Sequence, residues 1–332
     1  MVLQSPQSAY PLFTPLVTHP YAISYSNSKY VDIYNKMVQL SEASTTSWHL
    51  RYNHINHTLM AYRDKDIYFI PIPLQDLVNH GLYYTAYTVH TTTSTNIKAT
   101  RVDYTNGDLY VLCPESVSQT VYRYDVNYTL SGICAIYNAA SIVSYREDML
   151  VPTNGDYFNI IHENWHYGVT KNPIGWSIYW WYFDPVYGHD HPEWRPYSVD
   201  IAYNSDGSIK NVYQLSGNNQ MWVFPYDIST GTYGTRTGYW YANYVTNNMD
   251  IVVNNDFVIY AYNNILYIKA ITGGLTNRQI NIPGIIYIST PKSPSNKNVL
   301  ITSTNTITDI NTYDGTYNTI SKPNVFRAVL PS

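Results

Sequence analysis

Residues 162–166 read His162-Glu163-Asn164-Trp165-His166, a match to the His-Glu-x-x-His pattern of zinc peptidases. That pattern does chemistry when one helical turn puts both histidines on one face as zinc ligands. The glutamate between them then acts as general base on the metal-bound water. Here His162 and His166 are the candidate ligands and Glu163 the candidate base, with His189, Asp190, His191 and Glu193 following as further donors. The flanks argue against a helix. Asp156-Tyr157-Phe158-Asn159-Ile160-Ile161 on one side and Tyr167-Gly168-Val169 on the other favour strand. Within one strand, residues four apart share a face but lie about 13 Å from each other, too far to hold one ion directly. The expectation is therefore strand and turn histidines, no metal, no cofactor and no catalysis, with a zinc metallopeptidase as the alternative.

The stretch from Trp165 to Trp194 is the most aromatic in the chain, with Trp176, Trp180, Trp181, Tyr167, Tyr179, Tyr182 and Tyr187 between its ends. Aromatic rings of this kind either fill a core or, where exposed, stack on sugars and anchor partners. Trp180 is expected in the core. Trp165, Tyr187, His189, His191 and Trp194 are the candidates for binding a glycan or a protein partner. Other chemistries lack their motifs: the sequence holds neither a phosphate loop nor a Gly-x-Ser-x-Gly elbow. Cys113 and Cys134 lie in apolar runs and read equally as a bridged pair or as buried thiols.

The elements that must carry these residues follow from composition. The chain has 37 tyrosines in 332 residues and only 13% charged residues, against about 25% in an ordinary soluble domain. Tyr, Thr and Ile favour strands, and Asn and Gly favour the turns between them. Scarce Glu, Lys and Ala leave little from which to build helices. A surface of Tyr, Thr, Asn and Ser is expected. The net charge of −4 and singly scattered basic residues exclude a nucleic-acid footprint, and no apolar run is long enough to span a membrane as a helix. The N-terminal Met1-Val2-Leu3-Gln4-Ser5-Pro6 lacks a signal-peptide pattern. Yet sequons at Asn56 and Asn127 and the composition suit an exposed protein. A virion protein, made inside the cell and exposed after release, satisfies both.

Two segments are expected. Residues 1–47, with Pro6, Pro11, Pro15 and Pro20 and a short helix within Val31–Leu40, read as an N-terminal arm; the alternative is an edge strand that closes the fold. Residues 48–332 carry a weak repeat of a turn followed by an apolar strand, its first apolar residues at 67, 109, 149, 221, 265 and 299. A spacing near 40 is that of a four-stranded blade, so the fold class is all-β, a propeller of six or seven blades. A β-sandwich or double jelly roll is the alternative.

The whole chain, and stretches such as Tyr260-Ala261-Tyr262-Asn263-Asn264-Ile265-Leu266-Tyr267, resembles virion structural proteins of viruses infecting hot-acid archaea, the spindle-shaped and tailed viruses of the Sulfolobales. Tail nozzle and tail-fibre proteins of several virus groups are similar in using propellers. The resemblance implies a non-enzymatic tail or spike subunit in the virion. It also implies an oligomeric assembly with other virion proteins and attachment to a host glycan or receptor. Physical chemistry points the same way. Carboxylates are largely protonated below about pH 4, and a neutral polar surface loses little when ion pairs fail.

Overall fold

The computed structural model describes residues 20–40, 47–72, 89–91, 96–97, 99–104, 106–114, 118–137, 150–152, 157–162, 165–170, 178–183, 196–206, 208–216, 220–227, 232–233, 239–241, 251–254, 256–292 and 296–330. Among them the chain forms seven antiparallel sheets and no helix. The first sheet holds β1 (Ala22–Tyr25), β2 (Tyr30–Ile33) and β3 (Lys36–Gln39). The second holds β4 (His49–Asn53), β5 (Thr58–Arg63), β6 (Asp66–Pro71) and β7 (Val89–Thr91). The third is β8 (Ala99–Val102), β9 (Leu109–Pro114), β10 (Ser118–Tyr124) and β11 (Leu130–Tyr137). The fourth is β12 (Leu150–Pro152), β13 (Tyr157–His162), β14 (Trp165–Thr170) and β15 (Ile178–Phe183). In the fifth, β16 (Pro196–Tyr203), β17 (Ile209–Ser216), β18 (Gln220–Asp227) and β19 (Thr232–Tyr233) follow in order, and β20 (Tyr239–Tyr241) also pairs with β18. The sixth is β21 (Ile251–Asn254), β22 (Phe257–Tyr262), β23 (Ile265–Ala270) and β24 (Arg278–Asn281). The seventh is β25 (Ile285–Ser289), β26 (Asn298–Ser303), β27 (Thr306–Asn311) and β28 (Tyr317–Ser321). The final strand, β29 (Val325–Val329), returns to the first sheet and pairs with β1, giving the order β29-β1-β2-β3.

Each sheet is a blade, and its leading strand faces the axis. Strands β8, β12, β16, β21, β25, β29 and β4 touch in turn, and a hydrogen bond from Arg51 Nε of β4 to Thr100 Oγ1 of β8 (3.2 Å) joins the ends of that series. The fold is a seven-bladed β-propeller, six blades of four strands and one of five. Ring closure mixes the two chain ends in one blade, so no strand edge is left open between first and last blades.

The core lies between blades, and that explains the run-like strands. Phe257, Val258, Ile259 and Tyr260 of β22 are consecutive and all buried. Val258 and Tyr260 pack on Ala202 and Tyr213 of the fifth blade, while Phe257 and Ile259 pack on Val299 and Ile301 of the seventh. Pleating sends alternate residues to opposite faces, and both faces are covered. The same geometry corrects the expected surface. Ten described tyrosines are buried, Tyr110 and Tyr260 almost completely, so much of the tyrosine excess fills flat inter-blade cores. Tyr260 stacks on Tyr267 at 5.0 Å between ring centroids.

The boundary at residue 47 is corrected. Residues 22–39 are three strands of the closing blade, with Ala22 paired to Val329 and Ile23 to Ala328. The closing-strand alternative is the one realised; residues 1–19 lie outside the described residues. The helix expected within Val31–Leu40 is a β-hairpin. Tyr34 and Asn35 both adopt positive φ (52° and 66°), the two-residue turn that matches the strand twist. Val31, Ile33 and Val38 then bury against Leu50 and Leu59 of the second blade.

The expected period is present but drifts. Leading strands begin at residues 49, 99, 150, 196, 251, 285 and 325, so blade spacing runs from 34 to 55. The repeat read in the sequence falls on the third strand of some blades (Ile67, Met221, Ile265) and the second of others (Leu109, Val299).

Candidate functional site

Charge at the propeller axis is concentrated on Asp200, in the middle of β16. It is buried, and its carboxylate accepts three donors from three other blades. Arg101 Nη1 of β8 donates to Oδ1 at 3.1 Å, and the Val253 backbone N–H of β21 donates to Oδ2 at 2.6 Å. Lys292 Nζ, from the loop after β25, also donates to Oδ2 and reaches the Val253 carbonyl at 2.8 Å. Burial alone raises the Asp200 carboxyl, but the Lys292 and Arg101 charges outweigh it and hold the group below the usual carboxylate range. A buried charge needs this degree of pairing, because an unpaired one carries a desolvation penalty of several kcal/mol.

Around this network lie two further arginines and a group of rings. Arg51 of β4 and Arg327 of β29 are half-buried. The Arg327 guanidinium stacks 4.2 Å from the Tyr287 ring centroid and 5.3 Å from that of Phe326, a favourable cation–π geometry. Burial pushes the Tyr104 phenol up to about 12, against the pull of the Arg51 and Arg101 charges. Its hydroxyl donates to the Tyr52 carbonyl at 3.3 Å, and its ring stacks on His54 at 4.6 Å. The network therefore staples four blades together at the axis.

A second charged knot sits at the loop after β8. Arg123 of β10 pairs with Asp108 (Nη2–Oδ2 2.5 Å, Nε–Oδ2 2.8 Å), and Asn53 Nδ2 donates to the Gly107 carbonyl at 2.9 Å. Gly107 takes φ +83°, and a Cβ there would meet Val126 and Ile55 at 3.0–3.1 Å, so the turn demands glycine.

The outer rim differs in character. On β28, Tyr317, Asn318, Thr319 and Ser321 are exposed, Tyr317 at 63%, and none carries a charge.

The His-Glu-x-x-His match spans a hairpin. His162 ends β13, His166 is the second residue of β14, and the register pairs His162 with Trp165 and Ile161 with His166. The histidines are on neighbouring strands and are not cross-strand partners, so the helical turn that the peptidase alternative requires is replaced by a chain reversal. Both histidines lie in strands, as their flanks lead one to expect, but in two antiparallel strands and not in one. Glu163 lies outside the described residues, as do Tyr187, His189, His191 and Trp194. Trp165 begins β14, and Trp180 lies on β15 opposite Gly168. Among the described residues, no group of three or more His, Cys, Asp and Glu is placed to hold a metal ion.

Cys113 is buried on β9 and is not part of a disulfide. It pairs in register with Thr120 of β10, and Cys134 of β11 pairs with Val121. Strand β10 therefore separates the two cysteines. Asn127 is exposed in its turn, whereas Asn56 is half-buried and its Nδ2 donates to the Val126 carbonyl at 2.9 Å. Sequence reasoning missed the axial residues. The available signal was an arginine standing in an otherwise uncharged strand, as in Ala99-Thr100-Arg101-Val102 and Val325-Phe326-Arg327-Ala328.

Compared with known proteins, the sequence matches no family model and no curated protein. The fold is similar to that of the periplasmic gluconolactonase PpgL of Pseudomonas aeruginosa, with a TM-score of 0.60 and 11% identity over 93% of this chain and 98% of that one. It is also similar to a functionally unknown protein from Desulfotomaculum acetoxidans (TM-score 0.53, 9% identity, 91% and 99% covered). Apo AztD from Citrobacter koseri is a third (TM-score 0.52, 9% identity, 92% and 83% covered). These likenesses define the class as β-propeller, and one of these propellers is an enzyme.

Proposed function

We propose that the protein is a non-catalytic propeller that serves as a surface subunit of a larger assembly, of the virion tail or spike kind. The observation that carries this reading is the β28 rim. Natural edge strands are blunted by Lys, Pro or inward charges, but Tyr317–Ser321 offers an uncharged strand with one large exposed ring and four neutral polar or aliphatic neighbours. That strand holds no acidic, basic or histidine side chain, so a contact made there persists in acid. Its occupants are other virion proteins or further copies of the chain, with a host glycan or receptor met elsewhere on the surface.

Sedimentation velocity of the full chain at neutral and acidic pH tests the reading. A defined oligomer is expected at both, and Tyr317→Lys with Thr319→Lys disperses it while leaving the thermal midpoint unchanged. A wild-type monomer at every concentration, or an oligomer indifferent to both lysines, removes the rim from the account. The fold shared with a gluconolactonase supplies the catalytic alternative, and gluconolactone opening at the uncatalysed rate is the outcome expected here. Enzymatic opening would replace the assembly reading.

A further inference from the structure

The Asn-x-Thr sequons at Asn56 and Asn127 stand on touching turns, and the fold treats them in opposite ways. Asn56-His57-Thr58 leads from the β4–β5 turn into β5, and Asn127-Tyr128-Thr129 lies in the turn between β10 and β11. The Asn56 side chain joins the two turns by donating to the Val126 carbonyl at 2.9 Å.

In the first sequon both reacting ends are taken up by the fold. Asn56 is half-buried, with its Nδ2 on Val126. Thr58 is 3% exposed, and its hydroxyl donates to the Asn56 carbonyl at 3.3 Å. Of the three residues, the middle one, His57, is the exposed one. A sugar on Asn56 would push apart the contact between the second and third blades.

The second sequon is the reverse. Its middle residue is the anchor, with the Tyr128 ring stacked on Phe69 of β6 at 3.9 Å between centroids. Asn127 and Thr129 are exposed on either side of it. Main-chain bonds pin the turn. The Tyr128 N–H donates to the Asp125 carbonyl at 2.8 Å, and the Asp125 carboxylate accepts the backbone N–H groups of Asn127 and Thr129, each at 2.9 Å, an Asx-turn arrangement. Tyr128 supplies the positive φ, 64°. Among the described residues the Asn127 amide and the Thr129 hydroxyl are therefore left without a partner. Leu130, next along, is an apolar residue 45% exposed, the kind of surface that a bulky, solubilising glycan covers.

We infer that Asn127 is an N-glycosylation site and that Asn56 is not. The donor is an oligosaccharide linked to a polyprenyl phosphate or pyrophosphate. Asn127 Nδ2 attacks the anomeric carbon of its first sugar, and the N–C bond forms as the C–O bond to phosphate breaks. The lipid phosphate leaves with the electron pair, and the displaced amide proton passes to a carboxylate of the transferase. The Thr129 hydroxyl is the group by which the transferase reads the sequon.

Peptide mapping by mass spectrometry, on the full chain isolated from the cells that naturally make it, tests the site. The peptide holding Asn127 is expected to be heavier than its sequence by whole sugar units, and the peptide holding Asn56 to have its sequence mass. Made in the same cells, Asn127→Gln and Thr129→Ala each return the chain to its sequence mass, the second with the asparagine still in place. Asn56→Gln keeps the glycan. The wild-type map needs no variant, so a substitution that fails to fold leaves the test intact. An unmodified Asn127 peptide in the wild-type chain, sugar on Asn56, or sugar on Asn127 that survives Thr129→Ala overturns the inference.

Discussion

Arg101 of β8 donates to the carboxylate of Asp200 in β16 at 3.1 Å, although the whole blade of β12–β15 stands between their blades in the chain. Lys292 makes the matching reach from the other side, past the blade of β21–β24. One carboxylate therefore ties four blades at the axis. Removing it leaves two buried cations without their partner, and Asp200→Ala is expected to destabilise the fold by about 3–5 kcal/mol. Urea denaturation monitored by tryptophan fluorescence measures the loss.

The same carboxylate sets a pH dependence. Because its folded-state pKa is depressed, its stabilisation is present above the unfolded carboxylate value near 4 and disappears as pH falls through the lower folded value. Asp309 works in the opposite sense. Burial raises it, with the Tyr21 hydroxyl donating at 3.1 Å as a partial offset. Its contribution is therefore greatest in acid and is lost as pH rises through the folded value. Asp309→Asn is expected to raise the thermal midpoint at pH 7 and to leave it unchanged at pH 3, as differential scanning calorimetry at the two pH values reports.

Alkaline behaviour follows from the buried phenols. Burial pushes Tyr104 and Tyr124 to about 12, above the unfolded value of about 10. Stability is then full below pH 10 and is lost as pH rises toward 12. Absorbance at 295 nm is expected to show exposed tyrosines titrating first and the buried set only with unfolding.

Closure of the ring predicts which truncations are tolerated. Deleting residues 1–45 removes β1, β2 and β3 and strips β29 of its partner, so cooperative unfolding is expected to vanish. Deleting residues 1–19 leaves every described strand in place, and its thermal midpoint is expected to stay within a few degrees of the full chain.

Adjacent strands lie about 4.8 Å apart, so with β10 between them the Cys113 and Cys134 backbones are about 10 Å apart. A disulfide spans at most about 7 Å between Cα atoms. Two thiols are expected on denaturation, with Cys113 unreactive toward a thiol reagent in the folded protein and a reducing agent without effect on the midpoint.

What was legible in the sequence is what local chemistry determines. The Asn263-Asn264 turn between β22 and β23 stood out because both residues accept positive φ, and the strand before it because four successive residues are apolar or aromatic. β16 and β10 were legible because a four-stranded repeat requires strands between its anchors, at residues 198–203 and 121–126. Less legible was what depends on distant partners. Ala22-Ile23-Ser24-Tyr25 becomes a strand because β29 arrives some three hundred residues later, and four upstream prolines made an arm the natural reading. Asp200 lies 99 residues from Arg101 and 92 from Lys292, so no local pattern joins them. The His-Glu-x-x-His match shows the converse, a local pattern whose histidines β-pairing carries onto two strands.

Immunogold electron microscopy of particles released by cells producing this protein, with an antibody against the full chain, tests the assembly reading most directly. Label at one end or on the surface of intact particles is the predicted result. Label confined to the cells, with particles bare, contradicts a virion role.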